Sequence, residues 1–356
     1  MRTRFDSLVA AIEPVDQGLA PAAQAHLDNL TKPQGSLGRL EELALRLTLV
    51  AGGGKPAADP ARIYTVAGDH GVAAEGVSLF PQEVTRQMVL NFVNGGAGIN
   101  VLARANGIDL KVVDAGCLGG GFDPHPNLVQ RKVASGTANL AQGPAMTEDQ
   151  CLAALLLGAD LAGEAAAQGF RSLGTGDMGI ANTTPSTALY CAYLGLDPLD
   201  VAGPGTGLAP EAVRRKAGII SRGMAANAEA VASGDPLRIL AALGGLEIAT
   251  LAGLILGAAR SRMAVAVDGF ISTAAYVAAW KLAPAVADYA FFSHASAEPG
   301  HAKIMAAIGG RPLLHLDMRL GEGTGAALAL TVMRSACAIY NEMASFAAAG
   351  VSTAAE

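Results

Sequence analysis

The residues with the clearest chemical potential sit in a short glycine-set loop, Leu320-Gly321-Glu322-Gly323-Thr324-Gly325. A carboxylate held there, at the end of an apolar run and ahead of an Ala-rich segment, can take a proton from a bound base. It can equally be a solvent-facing acid that complements the positive end of the next helix, a contribution of about 0.3–1 kcal/mol. A second loop, GTGDMGIAN at 174–182, presents Gly176, Asp177, Met178 and Gly179 ahead of a helix expected over Asn182–Tyr190. Backbone N–H groups in such loops suit phosphate, although tight strand-to-helix turns need glycine in any case. GPGTGL at 203–208 is followed by Arg214, Arg215 and Lys216, which read either as anion ligands or as a solvated helical face. SHASAEPGH at 293–301 sets hydroxyls and imidazoles on one loop. His294 and His301 are seven apart with no cysteine nearby, poor spacing for zinc, so loop-bracing hydrogen bonds are the better expectation. In GVSLFPQEVTRQMV, Phe80 and Met88 offer apolar surface to a flat ring, and Ser78 and Gln87 offer polar groups to its edge. Met178 could close over such a ring, while Asp69 and His70 could orient the loop; ordinary packing around Phe80-Pro81 is the alternative.

These loops need a scaffold that brings strand ends together. From Arg62 onward, short apolar runs alternate with Ala- and Leu-rich helical segments. The runs are RIYTVAG, IDLKVVDAG, RSLGTGD, RMAVAVDGF, DYAFFSH and PLLHLDM. Strand, loop, helix, repeated, implies a doubly wound parallel sheet, an α/β fold with its ligands beyond the carboxyl ends of the strands. Asp69, His70, Asp177, Asp268, Ser293, His294 and Glu322 all fall in such positions and should converge on one crevice. Residues 5–49 read as mainly helical, broken by Pro14, Pro21 and Pro33, and AGGGKPAADP at 51–60 marks a boundary. The organisation expected is an N-terminal helical segment over 1–58, the main domain over 59–325 and a C-terminal helix over 326–356, the two ends joining in a small helical lobe.

Composition narrows the partners. The 356 residues are 51% hydrophobic and 16% charged, with a formal net charge of −6 and no basic run, which disfavours nucleic acid and anionic membrane surfaces. Cys117, Cys151, Cys191 and Cys337 form no CxxC pair and should be buried, reduced thiols. No secretory leader is legible in the first residues, so a cytoplasmic setting is expected. Ile239–Ala259 is the stretch apolar enough to raise a membrane question, but Glu247 near its middle favours a buried core helix. Neither a Walker sequence nor a dinucleotide-binding GxGxxG loop with its acidic partner occurs.

Together with LTKPQGSLGRLEELA at 30–44 and ALGGLEIATLAGLILGAA at 242–259, these segments resemble, in order and over nearly the whole chain, the nicotinate-nucleotide–dimethylbenzimidazole phosphoribosyltransferases. The resemblance implies a Rossmann-like doubly wound parallel sheet with a small helical lobe built from both termini, and a pentosyltransferase. Its reaction moves 5-phosphoribosyl from nicotinate mononucleotide to 5,6-dimethylbenzimidazole or a related base, giving alpha-ribazole 5'-phosphate and nicotinate for the nucleotide loop of cobalamin. It further implies no cofactor or metal, and a homodimer whose sites the neighbouring subunit completes. On this basis Glu322 is the general base. Asp177, standing after Gly176 where many members carry Glu, belongs with the ribose and Lys216 with the phosphate; Gly176 shares the phosphoribosyl loop, and Ser296 is the residue of its own loop favoured near the ribose phosphate. Three other readings compete: a non-catalytic homologue that binds nucleotides or benzimidazoles, a homologue with a different acceptor, and a phosphoribosyltransferase that uses pyrophosphorylated ribose with Mg²⁺.

Overall fold

The computed structural model describes residues 1–352; the last four positions of the 326–356 segment lie outside them. The apolar runs form β1 (Ala61–Gly68), β2 (Asp109–Gly116), β3 (Leu128–Gln130), β4 (Ser172–Met178), β5 (Ala264–Val267) and β6 (Ala290–Phe292). All pair in parallel in the order β3-β2-β1-β4-β5-β6. The order reverses between β1 and β4, and a crevice opens at such a switch point because the flanking connections leave on opposite faces.

Side chains alternate across each strand and feed two apolar clusters. Tyr64, Val66, Val265 and Val267 join the cluster that holds helices Glu148–Ala167 and Leu246–Arg260, while Ile63, Ala67, Ala264 and Ala266 join the cluster on the other face. The two helices of the first cluster touch backbone to backbone: a methyl on Gly158 would stand 1.8 Å from Thr250 O, and one on Gly253 would stand 1.9 Å from Leu155 O. Glu148–Ala167 is long and apolar enough to cross a membrane by length and composition, but it lies in this packed core.

Helix Arg39–Val50 packs along helix Thr324–Glu342, and Leu30 bridges to Ser345, so segments from both ends of the chain meet. Their apolar cluster is continuous with the β1 face of the sheet. The first helix, Arg2–Ala10, packs on the other face, against Glu148–Ala167 and Leu246–Arg260. All four cysteines are buried and free, as expected.

Three sequence expectations need correction. PLLHLDM at 312–318 is not a strand: Pro312 opens it, and only Leu314 bridges to the sheet side, at His294. The three-residue edge strand β3 carries too little alternation to stand out in the sequence. The apolar stretch 239–259 is two helices, Pro236–Leu243 and Leu246–Arg260, broken at Gly244-Gly245. Position 245 has no room for a side chain: a methyl on Gly245 would stand 2.3 Å from His70 Cε1 and 2.7 Å from Glu247 Oε2.

Candidate active site

β4 carries Gly176 and Asp177 within the strand rather than on the loop after it, and the next helix is Thr183–Leu194 with Asn182 at its N-cap. This brings the end of β4 directly beneath the Glu322 loop. That loop runs through three consecutive left-handed residues, Gly321 (φ 83°), Glu322 (φ 64°) and Gly323 (φ 98°). For a residue with a Cβ this conformation costs of order 1–3 kcal/mol and persists only where surroundings over-determine it. Here they do. Thr65 Oγ1 donates to Glu322 O (2.7 Å), and Asp268 accepts from the N–H groups of Gly323 (3.1 Å), Gly325 (2.8 Å) and Ala326 (3.1 Å). Asp268 thereby satisfies the orphan donors at the start of helix Thr324–Glu342 and fixes the base loop with the same carboxylate.

The Glu322 carboxylate is buried, 6% exposed, and its Oε2 accepts from Ile99 N–H at 3.0 Å, in the first turn of helix Gly98–Ala105. Burial pushes its pKa above the ordinary carboxylate range; the Ile99 N–H opposes that shift and the Asp268 charge adds to it. Asp177 is pushed well above the usual range by burial first and the Asp268 charge second, against the amide of Asn182, which donates to its Oδ2 at 2.9 Å.

These groups face a cavity of about 460 Å³ at the switch point. Of the residues singled out from sequence, Glu322, Asp177, Met178, Ser78 and Ser296 line it, and Phe80 and Met88, with Val84, add apolar surface. Ser78 Oγ lies 3.3 Å from Thr206 Oγ1, which also accepts from Leu79 N–H, so the 77–88 segment and the GPGTGL loop are laced together. Arg319 donates to Gly205 O (3.1 Å) and ties that loop to the one bearing Glu322.

Three of the proposed residues are not in the cavity wall. Gln87 is exposed: Val84 and Met88, four apart on helix Glu83–Val93, share the inward face and turn Gln87 away. In the same segment the Gln82 amide donates to His70 O at 2.9 Å. Gly176 lies behind the wall, against Glu322, and a methyl there would come within 2.2 Å of Glu322 O. Lys216 is 1% exposed, not on a solvated face. Its ammonium donates to Thr183 Oγ1 (2.5 Å) and Gly203 O (3.2 Å), just behind the wall residues Thr183 and Gly205. Burial pushes its pKa down to about 8, against the nearby Glu298.

The two histidines of SHASAEPGH differ. His301 Nδ1 accepts from Ser296 N–H (3.0 Å) and its Nε2 lies 3.5 Å from Thr273 Oγ1; burial, with His294 nearby, pushes its pKa down to about 4 and keeps it neutral. His301 braces the loop, as expected. His294 is in the cavity wall itself. Asp69 and His70 do not line the cavity but hold loops around it. Asp69 Oδ2 accepts from Leu118 N–H (2.7 Å), and His70 Nε2 pairs with the buried Glu247 carboxylate at 2.6 Å. Among the described residues, no group of three His, Cys, Asp or Glu is placed to hold a metal ion. Asp268, Thr65 and the Ile99 N–H escaped the sequence reading as supports of the base, because their role depends on contacts 55 to 257 residues apart in the chain.

Known proteins share the sequence and fold of this chain. A family model described as phosphoribosyltransferase matches residues 12–351. A nicotinate-nucleotide–dimethylbenzimidazole phosphoribosyltransferase of Solidesulfovibrio magneticus is 70% identical over 348 residues, covering 98% of each chain. Its counterpart from Chlorobaculum parvum is 54% identical over 352 residues, covering 99% of each. The crystal structure of CobT from Thermus thermophilus superposes with a TM-score of 0.89 at 47% identity, covering 95% of this chain and 100% of that one. The chain belongs to the nicotinate-nucleotide–dimethylbenzimidazole phosphoribosyltransferase family.

Proposed function

We propose that this chain transfers the 5-phosphoribosyl group of nicotinate mononucleotide to 5,6-dimethylbenzimidazole, forming alpha-ribazole 5'-phosphate and nicotinate, with Glu322 as the base. In the donor the nicotinate ring is a pyridinium. When the bond from C1' to its nitrogen breaks, the electron pair returns to the ring and nicotinate departs without needing a proton. The incoming benzimidazole forms the new bond to C1' with the lone pair of one nitrogen, from the opposite face, which accounts for the alpha product. Its other nitrogen must then shed a proton, and Glu322 is the acceptor. The observation that carries the reading is the placement of Glu322: a buried carboxylate in the cavity wall, fixed by one hydrogen bond to Oε2, with its pKa raised toward that of the proton donor.

Phe80, Val84, Met88 and Met178 supply apolar wall for the bicyclic acceptor, and Ser78 supplies a polar group to it. At the donor end, Asp177 stands by the ribose, and Lys216, Ser296 and the GPGTGL loop stand by the phosphate. Gly176 serves by packing under Glu322 rather than by touching the ribose. The proposal includes a cytoplasmic homodimer, supported by the exposure of Leu79, Phe80 and Leu320 around the cavity; sedimentation of a fully active monomer would overturn that part. The decisive assay supplies both substrates without added metal and measures nicotinate and alpha-ribazole 5'-phosphate together. Equimolar formation that depends on the acceptor is expected; nicotinate release indifferent to the acceptor would sink the reading.

Lys216 makes the donor end testable. Its amine is charged below pH 8 in the free protein and loses its proton as pH rises through that value, so kcat/KM for nicotinate mononucleotide should fall above pH 8. Bound phosphate favours the charged amine, so kcat should hold over the same range. Lys216→Ala should raise KM for the nucleotide by about 10-fold or more, the effect of losing a charged hydrogen bond. It should also abolish the alkaline limb and leave KM for the benzimidazole nearly unchanged. Equal weakening of both substrates would remove Lys216 from the phosphate site.

A further inference from the structure

His294 carries an unused donor into the cavity. The residue is 1% exposed, yet Nε2 has no hydrogen-bond partner in the protein, and the side chain lines the cavity wall. A buried polar atom left in that state is costly unless a ligand completes it. The ring packs close to backbone at Gly325 and Gly269: a methyl on Gly325 would stand 1.9 Å from Nδ1, and one on Gly269 would stand 3.0 Å from Cε1.

The other nitrogen is accounted for. Nδ1 lies 3.1 Å from Ser293 Oγ, within hydrogen-bond range, and 3.7 Å from Asp268 Oδ1, outside it. Both Asp268 oxygens are already taken by the N–H groups of Gly323, Gly325 and Ala326. With the Ser293 hydroxyl donating to Nδ1, the proton sits on Nε2, and Nε2–H is the one group of this cluster left without a partner. A protonated ring would present the same Nε2–H. The place a Gly269 methyl would occupy is 3.1 Å from Nε2 and 3.6 Å from Ser296 Cβ, which puts Nε2 on the patch of wall next to Ser296. On its other flank His294 abuts Gly325, three residues after Glu322.

We infer that His294 is a further substrate-binding residue, whose Nε2–H donates to an oxygen of the phosphoribosyl group between the phosphate end and the base. The inference rests on the reaction proposed above. A ribose hydroxyl and a phosphate oxygen share the required acceptor chemistry, and the same donor would serve either. Its contribution falls on the nucleotide and not on the benzimidazole, because the apolar wall of Phe80, Val84 and Met88 belongs to other elements of the cavity.

The test compares His294→Phe, which keeps a ring but no donor, with His294→Gln, whose amide N–H reaches about as far as Nε2. For His294→Phe, the dissociation constant of nicotinate mononucleotide should rise about 10-fold or more, with that of 5,6-dimethylbenzimidazole within about 2-fold of the parent. His294→Gln should recover most of the loss. Nicotinate riboside separates the acceptors: a phosphate contact leaves kcat/KM for the riboside untouched by His294→Phe, whereas a ribose contact lowers it as much as for the nucleotide. One measurement needs no folded variant of the Phe type. In the ¹⁵N-histidine-labelled parent, the Nε2 signal of His294 should shift on adding nicotinate mononucleotide and stay in place on adding the benzimidazole. An unmoved signal, or nucleotide affinity kept in a folded His294→Phe protein, overturns the inference. If the parent neither binds nicotinate mononucleotide nor turns it over, the proposed function falls instead; if it does both while His294 proves silent, only this assignment falls.

Discussion

Glu322→Gln should bind both substrates with nearly unchanged dissociation constants and lose about 10²–10⁴-fold in kcat, equivalent to roughly 3–5 kcal/mol of barrier. The substitution preserves length and planarity, and the amide oxygen can still accept from Ile99 N–H in place of Oε2. What it removes is the capacity to take the benzimidazole proton. The pH profile sharpens the expectation. Burial raises the Glu322 pKa, so kcat/KM of the parent should fall with acid through a limb above the ordinary carboxylate value, as the base becomes protonated before it can act. That limb should vanish in Glu322→Gln, whose residual rate should climb with pH as solvent hydroxide replaces the missing base. Turnover within a few-fold of the parent would leave Glu322 as a conformational element of its loop. The base would then have to be sought at Asp177, the other carboxylate at the end of β4, already held by Asn182.

Sequence patterning carries the scaffold and half of the site, and the division has a physical reason. The strands β1, β2, β4, β5 and β6 announce themselves because buried parallel strands are short apolar runs closed by Gly, Asp or Ser. Glu322 and Ser296 follow from their places on strand-end loops, and Asp177 from its place at the end of β4. Groups whose role depends on phase or on distant contact do not. Gln87 stands one residue from Met88, yet a step of about 100° along the helix turns it to solvent. Lys216 looked like part of a charged run with Arg214 and Arg215, but it is the one of the three that turns inward, toward Thr183 and Gly203. Asp268 is the clearest case: nothing local marks it out from other strand-end acids. Its importance comes from three N–H groups, at Gly323, Gly325 and Ala326, that only the fold brings to it.

Gly176→Ala should reduce kcat by about 10²-fold although Gly176 itself does not line the cavity. Gly176 lies in β4 with an ordinary strand backbone, so alanine brings no conformational strain of its own. The added methyl is the whole perturbation. It would stand 2.2 Å from Glu322 O, 2.6 Å from Glu322 C and 2.8 Å from Gly323 N, all backbone atoms with no rotamer to yield. The loop must therefore lift away from β4, against the hydrogen bonds that Thr65 and Asp268 make to its backbone. Overpacking of this kind costs about 1–3 kcal/mol of stability, which a lowered Tm would report. A displacement of about 1 Å at a reacting group is enough for a 10²-fold loss of rate. Because the damage acts through the carboxylate, it should not add to the loss of that carboxylate. Glu322→Gln combined with Gly176→Ala should be about as slow as Glu322→Gln alone, whereas independent sites would multiply their effects. Multiplying effects, or a Gly176→Ala protein of parental rate, would break the link between the glycine in the strand and the position of the base above it.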